Sequence, residues 1–427
     1  MSKSTKESIS SQEAKDRLRA GEELRDLRID RLTLTKVEID FAIQIVDCEI
    51  GILDFNNSVL KEDVTIRRCR VDMCVLSEAR IEKKLDFKRT AIGRGRFQRV
   101  DFQGIANFAE TTLAYSSFHQ STFCQKADFG RGTFIGDATF SEVTFKDMAN
   151  FIHCEFKERG IFLSCIWRGK VDFKHIQVAK DLELNQGQFY DELLLMGAVV
   201  QLSVSLNGAY LEGRTDFSSM SAGRSLSLVG VSLGESQGFR FVNAIAHPIV
   251  LERDTVEGHI WPERNGEYLT AAREYGFLRT AFAQINRFDD EDWAYYQFKR
   301  NERLAQPFSA NPLQLLMRGG NFLFLDLGCG YGTRPFRTLL VIALMLFFFG
   351  IFYFFGAPVP PDVHYGLSLP LWNQTMHALY TSLLAFSGSI ADTNVSGGLR
   401  LLAMIEYMMG VVFMGLFIVA FSRKVIR

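Results

Sequence analysis

The chain has 427 residues, 47% of them apolar, and a formal net charge of -1. This length suggests two or three domains, and near-neutrality excludes a general affinity for nucleic acid or anionic lipid based on net charge. Seven scattered cysteines, none at zinc-site spacing, exclude a secreted disulfide framework and predict reduced thiols in a cytoplasmic body.

The first sixteen residues are polar, with no apolar run of the signal-peptide kind. Residues 12–26 are helix-prone, so residues 1–26 are predicted to form a helical cap. From there to residue 258 one apolar residue recurs every five or six positions: Ile29, Leu34, Ile39, Ile45, Ile50, Phe55 and onward to Phe123. From residue 127 the spacing locks into an eleven-residue period over ten units, ADFGRGTFIGD to LSLVGVSLGES, with Phe or Leu third in each. Neither helical periodicity nor strand alternation gives this spacing. A fixed period predicts a solenoid whose unit cannot bury its apolar face alone. Small residues two before the inward position (Ala106, Ala127, Ala138, Ala149) let a corner close. Asp or Asn between them (Asp86, Asn107, Asp128, Asn150, Asp172) can satisfy turn backbone.

In these residues the chain resembles the pentapeptide-repeat family, with its A-(D/N)-(L/F)-x-x unit. The resemblance implies a mainly β fold, a right-handed quadrilateral β-helix over residues 27–258. The alternation of fives and sixes departs from the family's fives and implies bulges or a less regular square. About eleven coils of roughly 21 residues are expected, stacked at strand spacing. Family members that resemble DNA need a strongly acidic surface. Here 28 basic residues face 31 acidic ones over 27–258, so the solenoid reads as a scaffold or spacer and no nucleic-acid partner is expected. Residues 61–99 hold twelve basic and six acidic residues. This patch is either a solvated face or a place for a protein or anionic ligand.

Residues 259–334 read as a helical linker and juxtamembrane segment. Leu278, Ala281, Phe282 and Ile285 form one stripe, and Asp289, Asp290, Glu291 and Asp292 open a second helix. Together they predict an αα-hairpin closing the open end of the β-helix. Residues 324–332, F-L-D-L-G-C-G-Y-G, resemble the S-adenosylmethionine motif of class I methyltransferases. That motif needs the first strand of a doubly wound sheet, whereas an apolar span begins six residues past Gly332. The segment therefore reads as a juxtamembrane turn behind a short interfacial helix at 312–318. No enzyme activity, catalytic residue, cofactor or metal is assigned.

Residues 338–355 carry no charge, 372–386 form a shorter amphipathic helix, and a second apolar span follows Gly397-Gly398. A bilayer core needs roughly 20 helical residues. Basic residues flank the outer ends (Arg334, Arg337, Arg423, Lys424, Arg427), and the loop between has almost none, which predicts cytoplasmic termini. Residues 378–383, Asp392, Ile405-Glu406, Gly410 and 417–424 resemble the two-span potassium-channel-like pore family. The resemblance implies a C-terminal α-helical two-span pore module over 335–427 with a re-entrant pore helix. It also implies a multi-pass protein of the bacterial inner membrane, in contact with lipid, four copies of which form a homotetrameric ion channel for a monovalent cation. The filter departs from the family: A-F-S-G-S-I-A-D at 385–392 has one glycine and no G-Y-G. Ser387, Gly388, Ser389 and Asp392 are the pore candidates. A wider cation pore with Ser387 and Ser389 hydroxyls as ligands and a non-conducting relative both fit. In the second span Glu406 is either a functional acid or an anchor for the pore helix. Gly410 and Gly415 are a gating hinge or a close helix contact. The reading is a cation channel with a cytoplasmic solenoid as tether, sensor or oligomerisation element. The alternative is a non-conducting membrane-anchored scaffold whose β-helix binds a partner protein.

Overall fold

The structure, a computed structural model, describes residues 6–306, 312–357, 359, 370–393, 395 and 397–425. It divides into two compact units, Met1–Arg287 and Phe288–Arg427.

The first unit is a parallel β-solenoid. Twelve strands stack along one face, from Glu7–Ile9 to Ile245–Ala246. That is one turn more than the periodicity predicts, because Glu7–Ile9 pairs in parallel with Leu27–Thr33. The helix Ser11–Arg19 follows, N-capped by Ser10, whose hydroxyl accepts from the Glu13 N–H at 3.2 Å, and it buries Ala14 and Leu18.

Four inward columns define four faces. One aromatic column runs Phe87, Phe108, Phe129, Phe151 and Phe173, with successive ring centroids 4.9 to 5.5 Å apart. Phe97, Phe118, Phe140 and Phe162 form a second, spaced 4.6 to 4.8 Å. A third runs from Phe102 through Phe123 and Phe145 to Trp167, at 4.2 to 4.9 Å. The fourth includes Leu113, Phe134, Phe156 and Val178. Strand spacing of about 4.8 Å brings rings to stacking distance within a column, and rings of adjacent columns meet edge to face.

The sixth residue has a definite place. After a first interval of 20, from Glu7 to Leu27, successive turns up to residue 133 pair 21 residues apart, as in Ile29, Ile50 and Val71. Further on, as far as Leu233, the interval is 22, as in Ala138, Gly160 and Leu182, and in the last turn it is 23 or 24. Leu113 pairs with Phe134, 21 on, but Ser116 pairs with Ala138, 22 on. In the earlier turn Thr112–Ser117 is one strand running round a corner. One turn later a bend at 135–137 absorbs the added residue. Gly136 sits in that bend, where a Cβ would lie 2.8 Å from the Ala114 carbonyl oxygen.

Each half turn also holds one residue in the left-handed region, among them Asn57, Arg68, Arg89 and Glu110. This costs non-glycine residues roughly 1–2 kcal/mol. Hydrogen bonds between turns oppose it, such as Asn57 N–H to the Ser77 carbonyl at 3.0 Å. Asx side chains act as the sequence suggests: Asn107, Asp128 and Asn150 each accept from the N–H two residues on, at 3.0 to 3.1 Å. Asn150 also donates to Asp128 across turns at 2.8 Å.

The far end of the solenoid is covered by the helix Tyr268–Gln284, which buries Ala271, Leu278 and Phe282. Its Glu274, fully buried, accepts from the Phe241 N–H at 2.6 Å, so a side chain satisfies a backbone donor at the last turn. The second helix expected of the hairpin, Phe288–Ala305, is present and belongs to the second unit.

The second unit is helical. After Phe288–Ala305 come Pro312–Gly320, a π-helix Asn321–Gly328 and a 3-10 turn Gly330–Gly332. Two helices long and apolar enough to cross a membrane follow, Pro335–Gly356 and Gly398–Val425, with Pro370–Ser387 between them. Only 28% and 22% of their most apolar windows are buried within the chain. The exposed remainder includes Phe347, Phe348, Met408 and Val411.

Candidate functional site

At 1.5 Å per residue the two apolar helices are about 33 and 42 Å long, and the helix between them about 27 Å. That middle helix is longer than the fifteen residues read from sequence. Asn373, Gln374 and Thr375 occupy its first turns, and the Gln374 amide donates to the Phe354 carbonyl of the first apolar helix at 2.6 Å. Its buried stripe is His377, Ala378, Thr381, Ser382, Ala385 and Phe386. These are spaced at one helical face, and Ala378, Ser382 and Ala385 among them are small enough for close approach.

Glu406 lies eight residues into the second apolar helix and is fully buried. One carboxyl oxygen accepts from the Tyr353 hydroxyl of the first apolar helix at 2.8 Å. The other is 2.5 Å from the Ser382 hydroxyl of the middle helix, which also reaches the Leu346 carbonyl at 3.0 Å. One acid therefore joins three helices through hydroxyl groups. Its partners are 53 and 24 residues away, and only the need of an acid within an apolar helix for a partner hinted at them.

The glycines divide by contact. A Cβ on Gly410 would lie 2.8 Å from the Phe386 carbonyl oxygen, so this glycine lets the second apolar helix approach the end of the middle one. Gly415 has nothing within 4 Å of such a Cβ. Gly388 has φ +91, and a Cβ there would lie 2.8 Å from the Tyr407 ring.

The pore candidates sit at the end of the middle helix. The Gly388 N–H donates to the Ala385 carbonyl at 3.1 Å and the Ser389 N–H to the Leu384 carbonyl at 2.9 Å. This pair of bonds is a Schellman cap, with Gly388 as its left-handed residue. The exposed Ser387 donates its hydroxyl to the Leu384 carbonyl at 3.0 Å. A 3-10 turn, Ile390–Asp392, comes next, and the Asp392 side chain lies outside the described residues. The cap therefore accounts physically for Gly388, and it holds the Ser387 hydroxyl against its own helix.

Towards the basic end of the second apolar helix, Arg423 reaches Asp292 at 3.0 Å and lies 4.6 Å over the Tyr295 ring. Lys424 reaches Asp289 at 3.0 Å. The acids read as helix-initiating thus also hold the end of this helix. Asp326 is buried, accepts from the Tyr296 hydroxyl at 2.7 Å and pairs with Arg303 at 2.5 Å. Burial, and then Asp326, push the Tyr296 phenol up. The methyltransferase-like run is helical, with Tyr331 left-handed at φ 54, and among the described residues this unit has no strand.

In the solenoid, ten of the twelve basic residues in 61–99 have a carboxylate within 4 Å. Arg67 and Lys84 share the buried Asp86, whose carboxyl is held below the usual range by them against the opposing effect of burial. Arg94 and Arg96 are the two without such a neighbour among the described residues, so the patch is largely a ladder of pairs between and within turns. No group of three or more His, Cys, Asp or Glu placed to hold a metal occurs among the described residues. Comparison with known protein families, curated proteins and solved structures finds no match for this chain.

Proposed function

We propose that this chain is a membrane protein of the cation-channel type, in which four copies line a pore with their middle and second apolar helices. The solenoid serves as a cytoplasmic tether, sensor or oligomerisation element, and both termini lie in the cytoplasm of a bacterial cell. The observation that carries the reading is the buried Glu406, bonded to Tyr353 and Ser382. It fixes a helix with polar first turns between two apolar helices, which is what a re-entrant element requires. A monovalent cation is the proposed permeant.

A second reading is favoured by the Schellman cap. Ser387, Gly388 and Ser389 end a helix, and the Ser387 hydroxyl is turned back on Leu384. This suits a non-conducting, membrane-anchored scaffold whose solenoid binds a partner protein. The test is cation flux from liposomes holding the full-length protein, beside Ser389→Cys treated with a charged thiol reagent. Substitution at Gly388 is less useful, because it strains the cap whatever the pore does. Flux that the reagent stops only in S389C supports the channel and places Ser389 on its path. No flux from well-folded protein across varied pH, calcium and voltage supports the scaffold.

A further inference from the structure

The second unit contains a cavity of about 410 Å³ that the pore reading does not use. Lys299 and Arg303 of the helix Phe288–Ala305 line it, with Arg318 of the helix Pro312–Gly320. Lys299 pairs with Glu302 at 2.8 Å, and Arg303 pairs with Asp326. Arg318 donates to the Gln306 carbonyl at 3.4 Å and has no carboxylate within 4 Å among the described residues. With Lys299 and Arg303 each paired to one carboxylate, Arg318 is the lining cation without such a pair among the described residues, and the cavity favours an anion.

The lining also has apolar residues: Leu325 of the π-helix, with Leu416 and Val419 of the second apolar helix. Val419 lies four residues before Arg423, at the basic end of that helix. The adjoining surface exposes Met317, Phe322 and Leu323, at 62%, 42% and 51% of their areas. A small soluble anion would satisfy the cationic wall and leave this apolar surface wet. A molecule anionic at one end and apolar at the other satisfies both.

We propose that this cavity takes the phosphodiester headgroup of an anionic phospholipid, its acyl chains lying along Leu416, Val419 and the exposed apolar residues. Arg318 and Lys299 contact the phosphate. This rests on the reading of Gly398–Val425 as a membrane span but not on conduction, so a protein without flux still binds lipid. A soluble phosphate offers the same anionic chemistry, and the test separates the two sources.

Detergent-solubilised full-length protein is titrated with phosphatidylglycerol, phosphatidylcholine or inorganic phosphate. Bound lipid is counted by native mass spectrometry, and the melting temperature is followed. Phosphatidylglycerol is expected to bind and stabilise, phosphatidylcholine to bind about tenfold or more weakly, and phosphate to do neither. Arg318→Gln with Lys299→Gln is expected to lose about tenfold or more of the phosphatidylglycerol affinity while melting unchanged without lipid. If that double variant is unstable, Leu416→Trp fills the cavity from its apolar side and is expected to abolish binding. Equal binding of the two lipids, full stabilisation by phosphate alone, or unchanged phosphatidylglycerol binding in the variants would overturn the proposal.

Discussion

Single residues in the solenoid carry two kinds of stability. Phe129 is fully buried, stacked on Phe108 and Phe151 and edge-on to Phe118 and Phe140. Phe129→Ala leaves a cavity that neighbouring turns, fixed by their strand registers, are poorly placed to close. Denaturant unfolding is expected to show a loss of about 3–5 kcal/mol. Glu274 carries the other kind. Burial pushes its carboxyl up to about 8, against an ordinary value of 4.5, although the Phe241 N–H lowers it. A folded value above the unfolded one means that the folded state holds the extra proton. Its contribution is therefore full below pH 4.5 and is lost as pH rises through 8, at roughly 1.4 kcal/mol per pH unit between the two values. The melting temperature of wild type is expected to fall more steeply between pH 5 and 9 than that of Glu274→Gln. The amide keeps an acceptor for Phe241 and does not titrate. Equal slopes would show that this carboxyl does not control the end of the solenoid.

At the scale of elements, the two apolar helices and the helix between them meet through small residues and the polar node at Glu406. Gly410 against Phe386 and Gly350 against Leu379 allow close approach. Glu406 supplies specificity, because any other register of the three helices would leave its carboxyl without Tyr353 and Ser382. Glu406→Ala orphans the buried Tyr353 hydroxyl, while Ser382 keeps the Leu346 carbonyl, and is expected to cost about 1–3 kcal/mol, read as thermal unfolding in detergent. Glu406→Gln keeps acceptor and donor capacity and is expected to cost about half as much or less. Equal losses in both variants would show that the volume of the side chain, not its hydrogen bonds, is what matters. The solenoid uses a different elementary device. A corner that closes within a continuous strand gives 21 residues per turn, and a corner that takes a bend gives 22, so the register changes by one residue without breaking any inward column.

For the whole molecule, the second unit buries less than a third of either apolar window within one chain. In the proposed channel, lipid covers part of that surface and other copies cover the rest. Native mass spectrometry of the detergent-solubilised protein is expected to give four times the 48.5 kDa chain mass. A monomer would remove the pore and leave the anchored scaffold, since one chain supplies a single middle helix.

The solenoid was legible in the sequence because its signal is local and repeated. Each inward Phe or Leu recurs at five or six residues, and Asx residues satisfy donors two residues away, so period alone determined a solenoid and its core, and the resemblance to the pentapeptide-repeat family implied its β form. The two apolar helices were legible for a similar reason, since length and absence of charge are properties of a continuous segment. The first strand escaped because Glu7–Ile9 has one buried residue in three and gains its place only by pairing with Leu27–Thr33. Long-range polar partnership was also hidden. Glu406 finds Tyr353, Arg423 finds Asp292, and Arg303 finds Asp326 across separations that no periodicity records. Sequence determined which segments must be buried or leave water, because that depends on composition along the chain. Tertiary structure decided which charged and polar groups share a site, because that depends on where separate helices cross.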